Sequence, residues 1–339
     1  MSLVTLVATA LLAATALLSA SVAPASPLLL ATPAAPQASA TEPARPASYP
    51  ASATEAIIQS IYRDRERAEE WFHTNTQSFL AAVQRKDFGD RQSLTIGSAE
   101  DCDVRVNDGL FRPHHLRVTL AGDAFRVEAI DDSAQFRVGE AQPRDTTIAP
   151  SSVAIGKQGM LWGRYHVRLS HQRQPAIILF DSWSKRFSEY RGLKHYPVDL
   201  KYRYMLKMEP STEQDTIQIA STRGTARPAL RLGWFNFMIG ETRCRLAVLR
   251  MIEPGLSPAN MAVFFRDATS GKETAALGRY ADVRRLGNSG NYLLDFNLAS
   301  NPACAFSDLY NCPIPPKENT LKVPILAGEK DLGYMTAKK

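Results

Sequence analysis

The sequence is poor in cysteine and lacks the short motifs of the common enzyme classes. Its 339 residues include four cysteines, and no two of them have the Cys-x-x-Cys spacing. It contains no phosphate-binding P-loop, dinucleotide-binding glycine motif, Gly-x-Ser-x-Gly elbow or His-Glu-x-x-His helix. In a strand, His114 and His115 would point to opposite faces, and so would His166 and His171. We therefore expect no cofactor and no metal site.

The chain also lacks long runs of like charge. Its net charge is +6, and residues 151–250 hold 17 Lys or Arg against 7 Asp or Glu. This excess would attract a small anionic ligand, or it reflects arginines that alternate with apolar residues on solvated strand faces. The sequence has no basic-aromatic stripe, so we expect no nucleic-acid partner. A protein or envelope partner remains open.

No charged side chain precedes Glu42. Residues 3–20 are an apolar stretch rich in Leu and Ala, and Ala23-Pro24-Ala25 follows with a small-x-small cleavage pattern. Residues 1–25 therefore read as a secretory signal, which predicts a secreted or periplasmic protein. The positive charge that usually begins such a signal is missing. An uncleaved membrane anchor stays an alternative, because the stretch is close to the roughly 18 residues that span a bilayer.

The next two segments differ sharply in composition. Residues 26–53 are dominated by Ala, Pro, Ser and Thr, which predicts a disordered linker. Residues 54–88 place apolar side chains at spacings of three and four, which predicts one amphipathic helix that begins at an N-cap, Thr54, and packs on the body of the protein. The sequence Phe88-Gly89-Asp90 ends this helix, and a break near His73–Thr76 is the alternative.

Beyond residue 90 the hydrophobic period changes from helical to alternating. Residues 115–120 and 124–128 alternate apolar and polar side chains around a Gly-Asp turn, and similar runs recur to residue 297. Short strands without intervening helices predict an all-β, antiparallel sandwich or barrel. We divide this body at 89–172 and 173–330, followed by a tail at 331–339.

The first part resembles the forkhead-associated pattern of phosphopeptide-binding domains. The resemblance rests on Ile96-Gly97 and on a His before a strand, in Arg112-Pro113-His114-His115. Ser98 stands where that family uses an Arg to hold phosphate, and Arg112-Pro113 replaces the usual Ser. The resemblance implies a forkhead-associated-like sandwich over 89–172, and phosphate binding would require an exposed cation beside His114.

The second part resembles the domain of unknown function 1684 family. The resemblance rests on the C-terminal segments 295–306, 311–319 and 327–330, and on upstream blocks at 190–199 and 264–280. It brings no established activity with it. Ala275 replaces a Tyr expected before Gly278, and Ser300 replaces an expected aromatic residue. If those aromatic side chains line a pocket in relatives, the pocket of this chain is altered or empty.

The C-terminal segments hold the candidate site. Asp295 and Glu329 are candidates for acid and base, with Arg279 to position an anionic group. The alternative is structural, because Asn, Asp and Pro also satisfy the backbone of tight turns, and Arg279 with Asp295 could form a buried pair. The further binding candidates are Asp267, Asn297, Asn301, Asn319 and His195.

Two cysteines lie within the same Pro-rich region. Cys304 and Cys312 are separated by seven residues, and an exported protein would favour a disulfide between them, worth about 2–3 kcal/mol. Buried free thiols are the alternative. A metal site at these two residues is disfavoured, because no His is close in sequence.

These observations favour an exported β protein that binds a ligand or stabilises an assembly. One alternative is a hydrolase-type enzyme that uses the C-terminal carboxylates. Another is a forkhead-associated-like interaction module. An enzyme would need Asp295, Arg279 and Glu329 to meet in a cleft, whereas a scaffold would bury these groups against the backbone.

Overall fold

The computed structural model describes residues 43–156 and 164–333. Antiparallel sheets and one long N-terminal helix account for most of this part of the chain, which confirms the predicted all-β class. The predicted signal, residues 1–25, lies outside the described residues, as do most of the predicted linker and tail. Within the described residues, no helix has the length and hydropathy needed to cross a membrane.

Helix α1 spans Ala51–Thr74, so the prediction of a helix over 54–88 is wrong in its second half. Asn75 is extended, and its side chain accepts the backbone N–H of Gln77 at 2.8 Å. That local bond competes with the helical pattern and begins a turn. Thr54 is not the N-cap, since Pro50 occupies that position.

The last residues of the predicted linker are ordered. Ala44 forms a parallel bridge with Phe237, and its N–H donates to the carbonyl of Asn236 at 3.0 Å. Ala47 donates to the carbonyl of Arg203 at 3.1 Å. Residues 44–47 therefore add backbone pairing to the second body, which corrects the expectation of disorder to residue 53.

The first body is a sandwich of two five-stranded sheets, ordered β1-β10-β9-β8-β6 and β3-β2-β4-β5-β7. Its core is apolar and includes Leu94, Phe125 and Phe136. The sandwich ends at residue 181 rather than 172, because β10 pairs with β9 along its whole length. Its strands are β1 Ala82–Asp87, β2 Ser93–Gly97, β3 Val104–Arg105, β4 Leu116–Ala121, β5 Ala124–Ala129, β6 Gln135–Arg137, β7 Asp145–Ile148, β8 Ser152–Gly156, β9 Tyr165–Gln172 and β10 Gln174–Asp181.

The second body is a seven-stranded antiparallel sheet that curls into a nearly closed barrel, in the order β11-β17-β16-β15-β14-β13-β12. Tyr204, Phe237 and Phe296 pack in its core. A short helix, α2 (Arg186–Glu189), precedes it. Its strands are β11 Arg203–Lys207, β12 Glu209–Ala220, β13 Ala226–Ile239, β14 Thr242–Met251, β15 Ala262–Phe265, β16 Arg279–Leu286 and β17 Asn291–Asp295.

The chain after β17 forms no further strand within the described residues. It contains three short 3-10 turns, Phe296–Leu298, Ala303–Ala305 and Lys317–Asn319, joined by irregular backbone. Such a segment has few ladder partners, so its buried polar backbone groups need side-chain partners. This requirement shapes the candidate site.

Candidate functional site

Arg279, at the start of β16, anchors the irregular C-terminal segment. Its guanidinium pairs with the buried Asp267 at 2.7 Å and donates to three backbone carbonyls, those of Ile325, Ala327 and Glu329. Both side chains are almost fully buried. Burial lowers the pKa of Arg279, and the negative charge of Asp267 opposes that change.

Asp267 is satisfied on both carboxylate oxygens. Oδ1 accepts from the backbone and hydroxyl of Thr269, and Oδ2 accepts from the N–H of Ile325 at 3.1 Å as well as from Arg279. Asn319 has a similar role between two strands, because its amide bonds both backbone groups of Ala247 and the carbonyl of Phe264. These contacts hold backbone rather than presenting groups to a ligand.

Asp295 lies at the end of β17 and pairs with Arg203, not with Arg279. Its Oδ1 accepts from the backbone N–H and the side-chain amide of Asn297, at 3.0 and 2.9 Å. Asn297 in turn bonds both backbone groups of Asp199. From α1, Arg65 donates to the carbonyl of Asn297 and so docks the helix on this turn.

Glu329 is also buried, and it bonds a different residue from those that bond Asp295. Its Oε2 accepts the N–H of Asn301 at 2.8 Å, and burial raises the pKa of its carboxyl to about 7, with Arg279 and Arg65 opposing. The backbone of His195 forms a bridge with that of Glu329. Burial and the charge of Arg65 lower the pKa of the His195 imidazole to about 4.

The amide of Asn301 donates to the carbonyl of Lys330 at 2.8 Å. The side-chain contacts of Asp267, Arg279, Asn297, Asn301 and Asn319 run mainly to buried backbone. Asp295 and Glu329 bond different segments, and Arg279 bonds only the backbone of Glu329. This arrangement favours the structural alternative for the predicted cluster.

A polar cleft of about 480 Å³ separates α1 from the barrel. Asp295 and its partner Arg203 lie at its wall, together with Arg63, Arg284 and Asp282. Asp282 was missed by the sequence analysis because it occupies an ordinary outward position on an alternating strand.

A second cavity, of about 580 Å³, opens between the C-terminal segment and the loop after β15. Its wall is largely apolar and includes Ala275, Leu277, Pro302 and Cys304. The ring of Tyr310 also lines it, while the Tyr310 hydroxyl is buried with no hydrogen-bond partner among the described residues. The remaining lining residues are Thr222, Arg223, Ala276, Ala305, Asp308 and Asp331.

A family model described as a protein of unknown function (DUF1684) matches residues 188–330. These residues include the whole barrel and most of the C-terminal segment. Residues 188–330 thus match the model of the DUF1684 family. The resemblance predicted from the C-terminal segments is thereby confirmed. The match leaves the first sandwich and α1 outside it.

Two solved structures are similar to parts of the chain. An uncharacterised protein of Haloarcula marismortui, determined by solution NMR, is 27% identical over 43% of this chain and 80% of its own, with a TM-score of 0.36. A structure from a study of phosphothreonine-dependent FHA domain interactions is 17% identical over 29% of this chain and 95% of its own, with a TM-score of 0.19. Neither likeness carries an argument at these scores. A comparison with curated proteins gives no match.

Cys304 and Cys312 are close to one another but free. The backbone N–H of Cys304 donates to Sγ of Cys312 at 3.1 Å, and both residues are buried. The structure therefore does not show the disulfide predicted from their spacing. A hydrogen bond with Cys312, together with burial, raises the pKa of the Cys304 thiol.

In the loops whose sequence resembles the forkhead-associated pattern, the side chain paired with His114 is acidic. His114 Nε2 lies 2.9 and 3.0 Å from the two carboxylate oxygens of Asp101. His115 is buried and bonds the backbone of Arg112 and Gln135. An acidic partner beside His114 would repel a phosphate group.

Proposed function

We propose that the DUF1684 domain binds a small, largely apolar molecule in the cavity beside Ala275. The observation that carries this proposal is the cavity itself, because a concave, mostly apolar site of several hundred Å³ is the usual form of a small-molecule site. All of its lining residues except Asp331 lie within the family-matched residues.

The position of Ala275 supports the same conclusion. The family resemblance leads us to expect a Tyr here, and the Ala275 methyl group faces a cavity that a phenol ring would occupy. In this chain the space is therefore available to a ligand. Polar groups at the wall, among them Arg223 and Asp331, supply charges of both signs that would orient a polar end of the molecule.

The test is a titration of the full chain with 1-anilinonaphthalene-8-sulfonate, a dye whose fluorescence rises in apolar sites. We expect one saturable site in the parent. Ala275→Tyr should fill the cavity and weaken binding at least tenfold, with its melting temperature close to that of the parent.

The matched control is Ala121→Tyr, which adds the same ring to an exposed hairpin of the first sandwich. It should bind the dye as the parent does. Equal dye affinity in Ala275→Tyr and the parent would place the apolar site elsewhere and contradict the proposal. Native mass spectrometry of the parent would then identify any molecule that copurifies.

We also infer that the chain is exported, since residues 1–25 have the pattern of a secretory signal. Cell fractionation and N-terminal sequencing test this inference. A cytosolic protein with an intact N-terminus would contradict it.

We infer that Cys304 and Cys312 form the predicted disulfide in an oxidising compartment, since the backbone N–H of Cys304 contacts Sγ of Cys312. Thiol counting on the protein recovered from that compartment distinguishes two free thiols from four. Four free thiols would contradict the disulfide.

A further inference from the structure

Three potential metal ligands meet at one end of the first sandwich. Asp101 and Cys102 lie in the turn between β2 and β3, and His114 lies just before β4. One ligand atom from each, a carboxylate oxygen, Sγ and a ring nitrogen, lies within 4.8 Å of the others. Cys102 is buried while Asp101 and His114 are exposed, so the sulfur is the inner ligand of the three.

Backbone contacts hold the two ligand-bearing loops together. Ser98 donates to the carbonyl of Arg112 at 2.9 Å, and Ala99 donates to the carbonyl of Pro113 at 3.0 Å. Gly97 permits this approach, because a Cβ atom there would lie 2.0 Å from the Pro113 oxygen. The ligands are therefore brought close by the fold itself rather than by mobile side chains alone.

The chemistry of the three donors selects a class of metal. Thiolate, imidazole and carboxylate together suit Zn²⁺, whose bonds to S, N and O are about 2.0–2.3 Å long. In a tetrahedral site such bonds separate the ligand atoms by about 3.3–3.7 Å, so small side-chain movements from the observed cluster are enough.

We propose that Asp101, Cys102 and His114 form a zinc-binding site with one coordination position open to water. Binding releases the thiol proton of Cys102, and the thiolate and the Asp101 carboxylate together balance the two charges of the metal. Sγ of Cys102 lies 3.2 Å from the carbonyl oxygen of Pro113, and metal binding would replace this contact with the metal–sulfur bond.

The spacing of these ligands along the chain does not indicate a metal site. Cys102 and His114 are twelve residues apart, and neither belongs to a recognised spacing. Only the crossing of the two loops over Gly97 brings them together. The metal would tie the β2–β3 turn to the loop before β4, at a distance from the DUF1684 cavity.

Co²⁺ titration of the metal-free full chain tests the site, because a thiolate ligand gives a charge-transfer band in the near ultraviolet. We expect one Co²⁺ per chain with this band, and displacement by Zn²⁺. Cys102→Ser should remove the band, and Asp101→Asn and His114→Ala should each weaken Zn²⁺ binding at least tenfold.

Two matched controls separate this site from general metal binding. Cys244→Ser removes another buried thiol, and His73→Ala breaks a second His–carboxylate pair, 3.1 Å from Glu69, that has no cysteine beside it. Both should keep the band and the affinity. No band in the parent, or a band that survives in Cys102→Ser, would overturn the proposal.

The controls also cover loss of folding. Asp101 is largely exposed, so Asp101→Asn should melt like the metal-free parent. If it then binds Zn²⁺ as tightly as the parent does, the proposal is wrong whatever the behaviour of Cys102→Ser.

Discussion

The first sandwich and the barrel with its C-terminal segment bury different kinds of side chain. The sandwich core is a continuous set of apolar side chains, and the buried imidazole of His115 beside it bonds only backbone. The barrel and its C-terminal segment bury a set of charged and amide side chains in addition to their apolar core. These are Arg227, Asp267, Arg279, Asp295, Asn297, Asn301, Asn311, Asn319 and Glu329.

The difference follows from the backbone. Strands satisfy one another in the sandwich, so side chains there can be wholly apolar. The segment after β17 has little ladder pairing, and side chains must supply the missing partners. Polar residues that read as an active site can therefore be the internal support of an irregular chain.

The largest loss of stability is expected when the buried guanidinium of Arg279 is removed. Arg279→Met leaves the Asp267 carboxylate buried without its charged partner. It also removes the hydrogen-bond donor of three backbone carbonyl groups, those of Ile325, Ala327 and Glu329. We expect a loss of about 3–5 kcal/mol in the free energy of unfolding, measured by urea titration. Asp267→Asn combined with Arg279→Met should cost less than the two single losses added together. A loss below about 1 kcal/mol for Arg279→Met would make the network dispensable.

The pH dependence of stability distinguishes two buried groups whose effects oppose each other. Between about pH 4.5 and 7 the folded protein holds a proton on Glu329 that the unfolded chain has lost, so this contribution falls as pH rises. Between about pH 4 and 6.5 His195 is neutral when folded and protonated when unfolded, so its contribution rises with pH. The two slopes should nearly cancel in the parent.

Single variants should separate these slopes. Glu329→Gln should leave stability that increases from pH 4.5 to 6.5, and His195→Asn should leave stability that decreases over that range, with about 2–3 kcal/mol at stake for Glu329. Chemical denaturation at several pH values measures both. Parallel slopes in the parent and in Glu329→Gln would show that Glu329 does not titrate in this window.

A smaller loss is expected at Asn319, which carries no charge. Asn319→Ala removes three hydrogen bonds to the backbone of Ala247 and Phe264 and should cost about 1–3 kcal/mol in unfolding free energy. Asn288→Ala, in the exposed turn between β16 and β17, is the control and should change little. Equal stability of the two variants would deny the amide its structural role.

The smallest effect is expected in the sandwich. Ile96→Val removes one methylene group from an apolar core and should cost about 0.5–1.5 kcal/mol, with no dependence on pH between 4 and 7. The same urea titrations measure it. A pH-dependent loss here would mean that the two bodies do not differ as their cores suggest.

The periodicity of the sequence was enough to predict the all-β class and the N-terminal helix. The end of that helix was not predictable in the same way, because Phe79, Leu80 and Val83 continue a helical spacing past Thr74. The turn at Asn75 and the pairing of β1 with β10 override it. Tertiary pairing with residues 176–180 decides the conformation of residues 82–87.

The candidate residues of the C-terminal segments are buried together, but their partners were not evident from sequence. Arg203 is 92 residues from Asp295, and Arg65 is 232 residues from Asn297. Spacing along a chain carries no information about such pairs. The cavity was indicated only indirectly, by Ala275 in a position where the family resemblance led us to expect a Tyr.

The docking of α1 has a consequence for how the chain is made. Arg65 holds the carbonyls of Tyr196 and Asn297, residues that leave the ribosome long after the helix. The strands of the sandwich, within residues 82–181, pair only with one another in its two sheets, so this backbone pairing is complete earlier. We therefore expect the order of folding to differ from the order of synthesis. Helix α1 is synthesised before both bodies, but its buried residues Ile61 and Phe72 stay exposed until the final quarter of the chain has been synthesised.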